Sequence, residues 1–243
     1  MAPPRISPPK TPILRYSNPT EPWEETFPQD REAAELILRH VSEHIGHVDY
    51  ILKESAGNRA QVDLLHVPPD GMRREYHTFI TSGMSDIPMA APRSMERCRH
   101  AELLLCLPED WPLSLDDLTD EANYWPLRWL KILAQFPHRF KTWVWYSHIM
   151  PNGDPAEPFA SDTNLSSVVL SLPITVDEEF VALPVREDKV IYFFSVLPLY
   201  QEETDYKLKA GWEKLANRLD RAGISELIDK NRRNTCKGFL SLI

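Results

Sequence analysis

Glycine is scarce in this chain. There are 8 in 243 residues, at positions 46, 57, 71, 83, 153, 211, 223 and 238, and no two lie closer than 11 positions. The GxGxxG, GxxxxGK[ST] and GxSxG motifs need clustered glycines, because backbone must approach a phosphate closely or turn sharply at positive φ. None is present, so dinucleotide, P-loop and α/β-hydrolase chemistries lose their usual sequence support. Cysteine is scarcer still: Cys98, Cys106 and Cys236 are odd in number and contain no CxxC. That supports neither a disulfide framework nor a zinc knuckle, and it makes a reducing cytoplasm the expected compartment. Basic residues are outnumbered, 27 Lys and Arg against 36 Asp and Glu, for a net charge of −9. Binding a nucleic-acid backbone needs the opposite balance, so a nucleic-acid partner is disfavoured. No run approaches about 18 apolar residues, so no membrane span is expected. Prolines stand where a signal peptide would carry its apolar stretch, which disfavours secretion by that route.

Proline is abundant, with 22 residues, eight of them within positions 1–28. That stretch reads as an extended, loose leader, because proline fixes φ and removes amide donors. Residues 29–229 read as one domain and 230–243 as a weakly tied tail. Asp30 is placed to cap a helix over 30–46, where Ala34, Ile37, Val41 and Ile45 recur at helical spacing and Gly46 supplies a stop. Strands are expected at 48–53, 61–67, 73–81, 100–107, 143–150, 165–172, 180–183 and 190–197, with an Asp70-Gly71 turn and a central strand at the nearly continuous apolar run 100–107. Residues 114–135 read as helix interrupted near Pro126. Residues 202–222 read as one helix with Leu208, Trp212, Leu215 and Leu219 as its stripe. Strand runs broken by a few helices, without regular βαβ alternation, imply an α+β domain with a mixed, largely antiparallel sheet.

One motif suggests catalysis. His40, Glu43 and His44 fit HxxEH, with His47 one turn on, and in metalloproteases that spacing puts two zinc ligands and a general base on one helix face. A polar flank beside the apolar stripe is the simpler reading, so no metal, cofactor or enzymatic activity is expected, and a hydrolase is the alternative. Two features suggest recognition instead. Residues 82–89 form a loop between two strands, where Met84 and Met89 offer adaptable apolar contact and Asp86 a charge. Glu109, Asp110, Asp116, Asp117, Asp120 and Glu121 form a run of six acids with no base. Either the run favours a helix N-terminus through the macrodipole, or it steers a basic partner. In the loop, Gly83 alternatively makes a tight turn while Ser85 and Asp86 bond the loop's own backbone.

Several segments in order resemble the Suppressor of fused family: 77–86 (HTFITSGMSD), 101–108 (AELLLCLP), 125–130 (WPLRWL), 148–159 (HIMPNGDPAEPF) and 190–202 (VIYFFSVLPLYQE). The resemblance covers roughly residues 30–222. It implies a mixed α/β domain like the amino-terminal lobe of the animal protein, a non-enzymatic regulator that clamps a peptide between two lobes. A second lobe is not expected here, so the two-lobed clamp is not carried over. The sequence looks like the stand-alone bacterial members, which implies a cytoplasmic immunity or regulatory protein that neutralises a protein partner such as a basic toxin domain. Partner contacts are expected at Ser82, Gly83, Met84, Ser85, Asp86 and Met89 and along the acidic run.

Overall fold

Asp30 caps the first helix, its carboxylate accepting the Ala33 amide, and α1 runs Arg31–His44. The computed structural model describes residues 29–53, 61–72 and 74–238. The leader 1–28, Arg73 and positions 239–243 of the expected tail lie outside the described residues. After α1 come β1 (Tyr50–Leu52), β2 (Asp63–Val67), β3 (Tyr76–Ser82) and β4 (His100–Pro108). Helix α2 (Glu121–Arg139) separates these from β5 (Ile149–Pro151), β6 (Leu165–Ser171), β7 (Ala182–Arg186) and β8 (Lys189–Tyr200). Two helices follow, α3 (Gln201–Ala210) and α4 (Trp212–Arg221).

The strands form one sheet in the order β1-β2-β3-β4-β8-β6-β5, with β7 also paired to β8. Every pairing is antiparallel except β4 with β8, where His100–Leu104 run beside Ile191–Ser195. The fold is therefore α+β with a mixed, largely antiparallel sheet. Strand alternation sorts its two faces. Leu103 and Leu105 of β4 and Phe194 and Val196 of β8 pack with Trp125, Trp129 and Leu133 of α2 and with Trp145. On the opposite face, Leu104, Ile191 and Phe193 receive Ala33, Ile37 and Val41 of α1. Further along that face Leu197 and Leu199 receive Tyr206 of α3 and Trp212, Leu215 and Leu219 of α4.

Four expectations need correction. Residues 143–147 are not strand: positive φ at Lys141 and Ser147 takes the chain out of the ladder before β5, although Trp143 and Trp145 still stack at 6.5 Å. Helix α2 starts at Glu121 and continues through Pro126, because its buried tryptophans outweigh the lost amide bond. The helix expected at 202–222 breaks at Gly211 (φ 93°), which leaves Leu208 outside the stripe and exposed. Residues 230–238 are not weakly tied: Arg232 and Thr235 bond Glu203, and Cys236 is buried.

Candidate partner-binding surface

The loop after β3 is gripped from inside the fold. Gly83 and Ser85 donate their amides to one oxygen of Glu102 at 3.0 and 2.9 Å, and the Ser85 hydroxyl donates to the same oxygen at 2.6 Å. The Thr81 hydroxyl donates to the other oxygen at 2.6 Å. His138 Nε2–H donates to the Met84 carbonyl and His100 Nδ1–H to the Ser85 carbonyl, at 2.9 and 2.8 Å. A fully buried carboxylate thus takes the loop's donors while two buried imidazoles take its acceptors. Burial raises the Glu102 carboxyl, against the pull of these bonds, and lowers His138 and His100, the latter to about 4.

This geometry assigns most of the loop to architecture. Met84, Ser85 and Met89 are buried, and Ser82 nearly so. The side chains of Ser82, Met84, Ser85 and Met89 are turned into the fold, so direct contact of a partner with them requires the loop to open. Gly83 fits as a turn glycine: its φ is +117°, and a Cβ there would meet the Gln61 carbonyl oxygen at 2.2 Å. Asp86 is half-buried and accepts the Asp30 amide at the start of α1. Burial, then the nearby Glu102, pushes its carboxyl up to about 7. The Asp30 carboxyl is held low by Arg186 and Lys189, at 2.8 and 2.9 Å.

The Asp86 shift has a signed consequence. A carboxyl raised on folding contributes its stability below its unfolded value near 4 and loses it as pH rises towards 7. Asp86→Asn keeps an acceptor for the Asp30 amide and removes the titration. It should gain about 1–2 kcal/mol over the parent at pH 8, allowing for solvent screening, and nothing at pH 4. Urea unfolding at the two pH values checks this, and an equal effect at both would refute it.

The six acids divide by role. Asp120 caps α2 by accepting the Ala122 amide at 2.9 Å. Glu121 pairs with Arg128, and Asp117 accepts from the amide and hydroxyl of Ser114. Glu109, Asp110 and Asp116 are exposed and make no side-chain hydrogen bond or ion pair among the described residues, although the Glu109 charge acts on His77. The run starts at a fixed point: His77 Nε2–H donates to the Glu109 carbonyl at 3.2 Å, and His66 Nε2–H donates to His77 Nδ1 at 2.8 Å. Beside Asp116, Leu115 is 84% exposed.

The HxxEH imidazoles dock α1 onto the sheet. His40 is buried, donates from Nε2 to the Phe180 carbonyl at 3.0 Å and stacks on the Phe180 ring. His44 Nδ1–H donates to Asp177, which caps the same short turn. Glu43 is exposed, 3.9 Å from Arg39. Among the described residues no group of three His, Cys, Asp or Glu is arranged to hold a metal ion. Cys98, Cys106 and Cys236 are buried, and burial pushes the Cys106 thiol up to about 12. None is placed as an activated nucleophile.

One ionic cluster escaped sequence reasoning. Glu203, at the start of α3, is bonded by Arg232, by the amide and hydroxyl of Thr235 and by the Tyr200 amide. Its only sequence signal is a charged residue one turn into a helix, which is commonplace.

The open sheet, with α2 over one face and α1 and α3–α4 over the other, recurs in solved structures. A SUFU (suppressor of fused protein) homologue from Neisseria gonorrhoeae FA 1090 aligns with a TM-score of 0.61 at 18% identity, covering 84% of this chain and 97% of that one. A chain from the Sufu–Fu complex aligns with a TM-score of 0.61 at 11% identity, covering 86% and 94%. Drosophila Suppressor of Fused aligns with a TM-score of 0.57 at 11% identity, covering 88% of this chain and 53% of that protein. These likenesses define the class by fold: an α+β domain of the Suppressor of fused type. The family model "Suppressor of fused protein (SUFU)" matches residues 58–233, and the chain belongs to that family. No match was found among curated proteins. Among the described residues no helix is long and apolar enough to cross a membrane.

Proposed function

We propose that this chain is a non-enzymatic protein-binding module of the cytoplasm, an immunity or regulatory protein that binds and neutralises a basic protein partner such as a bacterial toxin domain. The observation that carries the reading is the unpaired acidic ridge on a Suppressor of fused domain. Glu109, Asp110 and Asp116 project from a segment fixed at one end by His77 and at the other by the α2 cap. Exposed charges on a rigid base steer an oppositely charged partner, and Leu115 adds an apolar contact among them. Asp117, Asp120 and Glu121 serve the same surface while holding its shape. The loop 82–89 lies at the opposite end of β4 and α2 from this run, because Tyr76 pairs with Pro108 and Met84 meets His138, so Asp86 serves as a separate contact. A related Sufu chain was crystallised with Fu, which is in keeping with protein recognition by this fold.

The test reverses the ridge. Partners are captured from the host on the immobilised protein, and the one retained is titrated against Glu109→Lys/Asp110→Lys/Asp116→Lys. The partner should be basic, and its affinity should fall at least tenfold at low salt with the melting temperature unchanged. Equal affinity of parent and variant would place the interface elsewhere. Co-expression with the partner should also relieve any growth defect the partner causes alone.

A further inference from the structure

Two hollows meet at the segment that follows α4. The first, about 780 Å³, is bordered by Ser166, by Gln201 and Glu202 at the start of α3, and by residues 232–235 and 237. The second, about 550 Å³, has Pro108, Ala222, Ile224, Leu227 and Ile228 on its walls, with Asp229 also at its border. Arg232 and Arg233 border both, so the hollows adjoin along this segment, one more polar and one more apolar.

The groove is built rather than incidental. Arg232 is committed to the wall: it bonds Glu203 and the Pro198 carbonyl and lies over the Tyr200 ring, its guanidinium 5.0 Å from the ring centre. Arg233 and Lys237 are exposed and have no acidic partner among the described residues. Around the first hollow these two cations outnumber the one acid, a local reversal of sign in a protein of net charge −9, whereas Asp229 borders the second. The only acid bordering the first hollow among the described residues is Glu202, and Asn234 Nδ2 donates to it at 2.9 Å. Ser166 is 3% exposed, yet its hydroxyl has no hydrogen-bond partner among the described residues. It sits at the irregularity in the β6–β8 register between Leu165 and Ser167, a place where bulges re-aim side chains. A buried hydroxyl left unpaired is costly and calls for a group that completes it.

We propose that this groove binds an extended acidic–apolar segment of a protein partner. Its Asp or Glu carboxylate lies in the first hollow, facing Arg233, Lys237 and the Ser166 hydroxyl. A neighbouring apolar side chain fills the second hollow against Pro108 and Ile228. The assignment rests on the reading of the chain as a protein-binding module and gives that module a contact of opposite charge to its ridge. Guanidinium suits a planar carboxylate, and the apolar end supplies the desolvated anchor that charge pairing alone lacks.

The test uses the full-length protein and a fluorescent library of amidated hexapeptides carrying one central Glu and one flanking Leu. Matched members carry Gln, or phosphoserine, in place of the Glu. Fluorescence polarisation should show Glu members binding at least tenfold more tightly than Gln members. The preference should disappear in Arg233→Glu/Lys237→Glu and weaken about threefold in Ser166→Ala, with both variants melting within two degrees of the parent. Equal binding of Glu and Gln members, or an unchanged preference in the double variant, overturns the proposal. Tenfold tighter binding of phosphoserine members overturns the carboxylate assignment. The same proteins are then used to capture a host partner. Capture by the parent with no acidic-peptide preference rejects the groove and leaves the module standing, whereas capture of nothing rejects the module itself.

Discussion

Arg232→Met should lower the unfolding free energy by about 3–5 kcal/mol at pH 8, the scale for stripping one partner from a buried ion pair. Glu203 is fully buried, and the Arg232 side chain is 8% exposed. Burial pushes the Glu203 carboxyl up, but Arg232 and the Thr235 and Tyr200 amides outweigh it, so the net position is below an ordinary glutamate. A carboxyl lowered on folding contributes stability above its unfolded value and loses it as pH falls. Without the guanidinium the burial effect dominates and the sign reverses: the variant's stability is best at low pH and declines as pH rises. Chemical unfolding of parent and variant at pH 4.5 and pH 8 should therefore show a smaller deficit at the lower pH. Glu203→Gln added to Arg232→Met should recover a large part of the loss, because the buried charge is then gone. A deficit below about 1 kcal/mol at pH 8 would mean that Glu203 reaches solvent in the folded state.

The second large effect belongs to Gly83→Ala. The left-handed φ of +117° already disfavours any side chain, and the added Cβ would lie 2.2 Å from the Gln61 carbonyl oxygen, which is backbone and cannot swing aside. Relief requires β2 and the 82–89 loop to part, which would disturb the bonds from Gly83 and Ser85 to Glu102. The expected cost is more than about 3 kcal/mol. Gly71→Ala is the control: its φ is +70°, and beyond its chain neighbours no atom of the described residues lies within 4 Å of the added carbon, so its cost should be about 1 kcal/mol. Similar melting temperatures for the two variants would contradict the close packing assigned to Gly83.

Local chemistry made much of the fold legible. Asp30 announces α1 because an N-cap acts on amides two or three residues away, and the continuous apolar run in β4 is visible within a single window. What escaped depends on distant partners or on one dihedral. Gly211 reads as a mild break inside a helical stripe, and only its φ of 93° turns one helix into two. Nothing near residue 100 states that β4 pairs in parallel with β8. The site was legible in a similar way. The segment 82–86 stood out in the sequence, but its role depended on Glu102, His100 and His138, whose aim towards the loop is a tertiary fact. The acids of 109–121 looked uniform until the cap at Asp120 and the turn at Asp117 separated structural carboxylates from free ones. Arg232 and Glu203 meet only after α3 and α4 have turned the chain back.

The position of β8 bears on how the chain is made. Residues 100–104 of β4 find their parallel neighbour only at 191–195, so a ribosome must add most of the second half of the chain before the sheet can close. Until then β4 offers an unpaired, strongly apolar edge to its surroundings, the kind of surface that nascent chains lose to aggregation. Such distant strand pairing also slows folding in free solution, because a long loop must close before any contact rewards it. Slower synthesis or added chaperone should therefore raise the yield of folded protein, which the soluble fraction on expression measures. Truncation before residue 200 would produce an insoluble fragment rather than a smaller working domain.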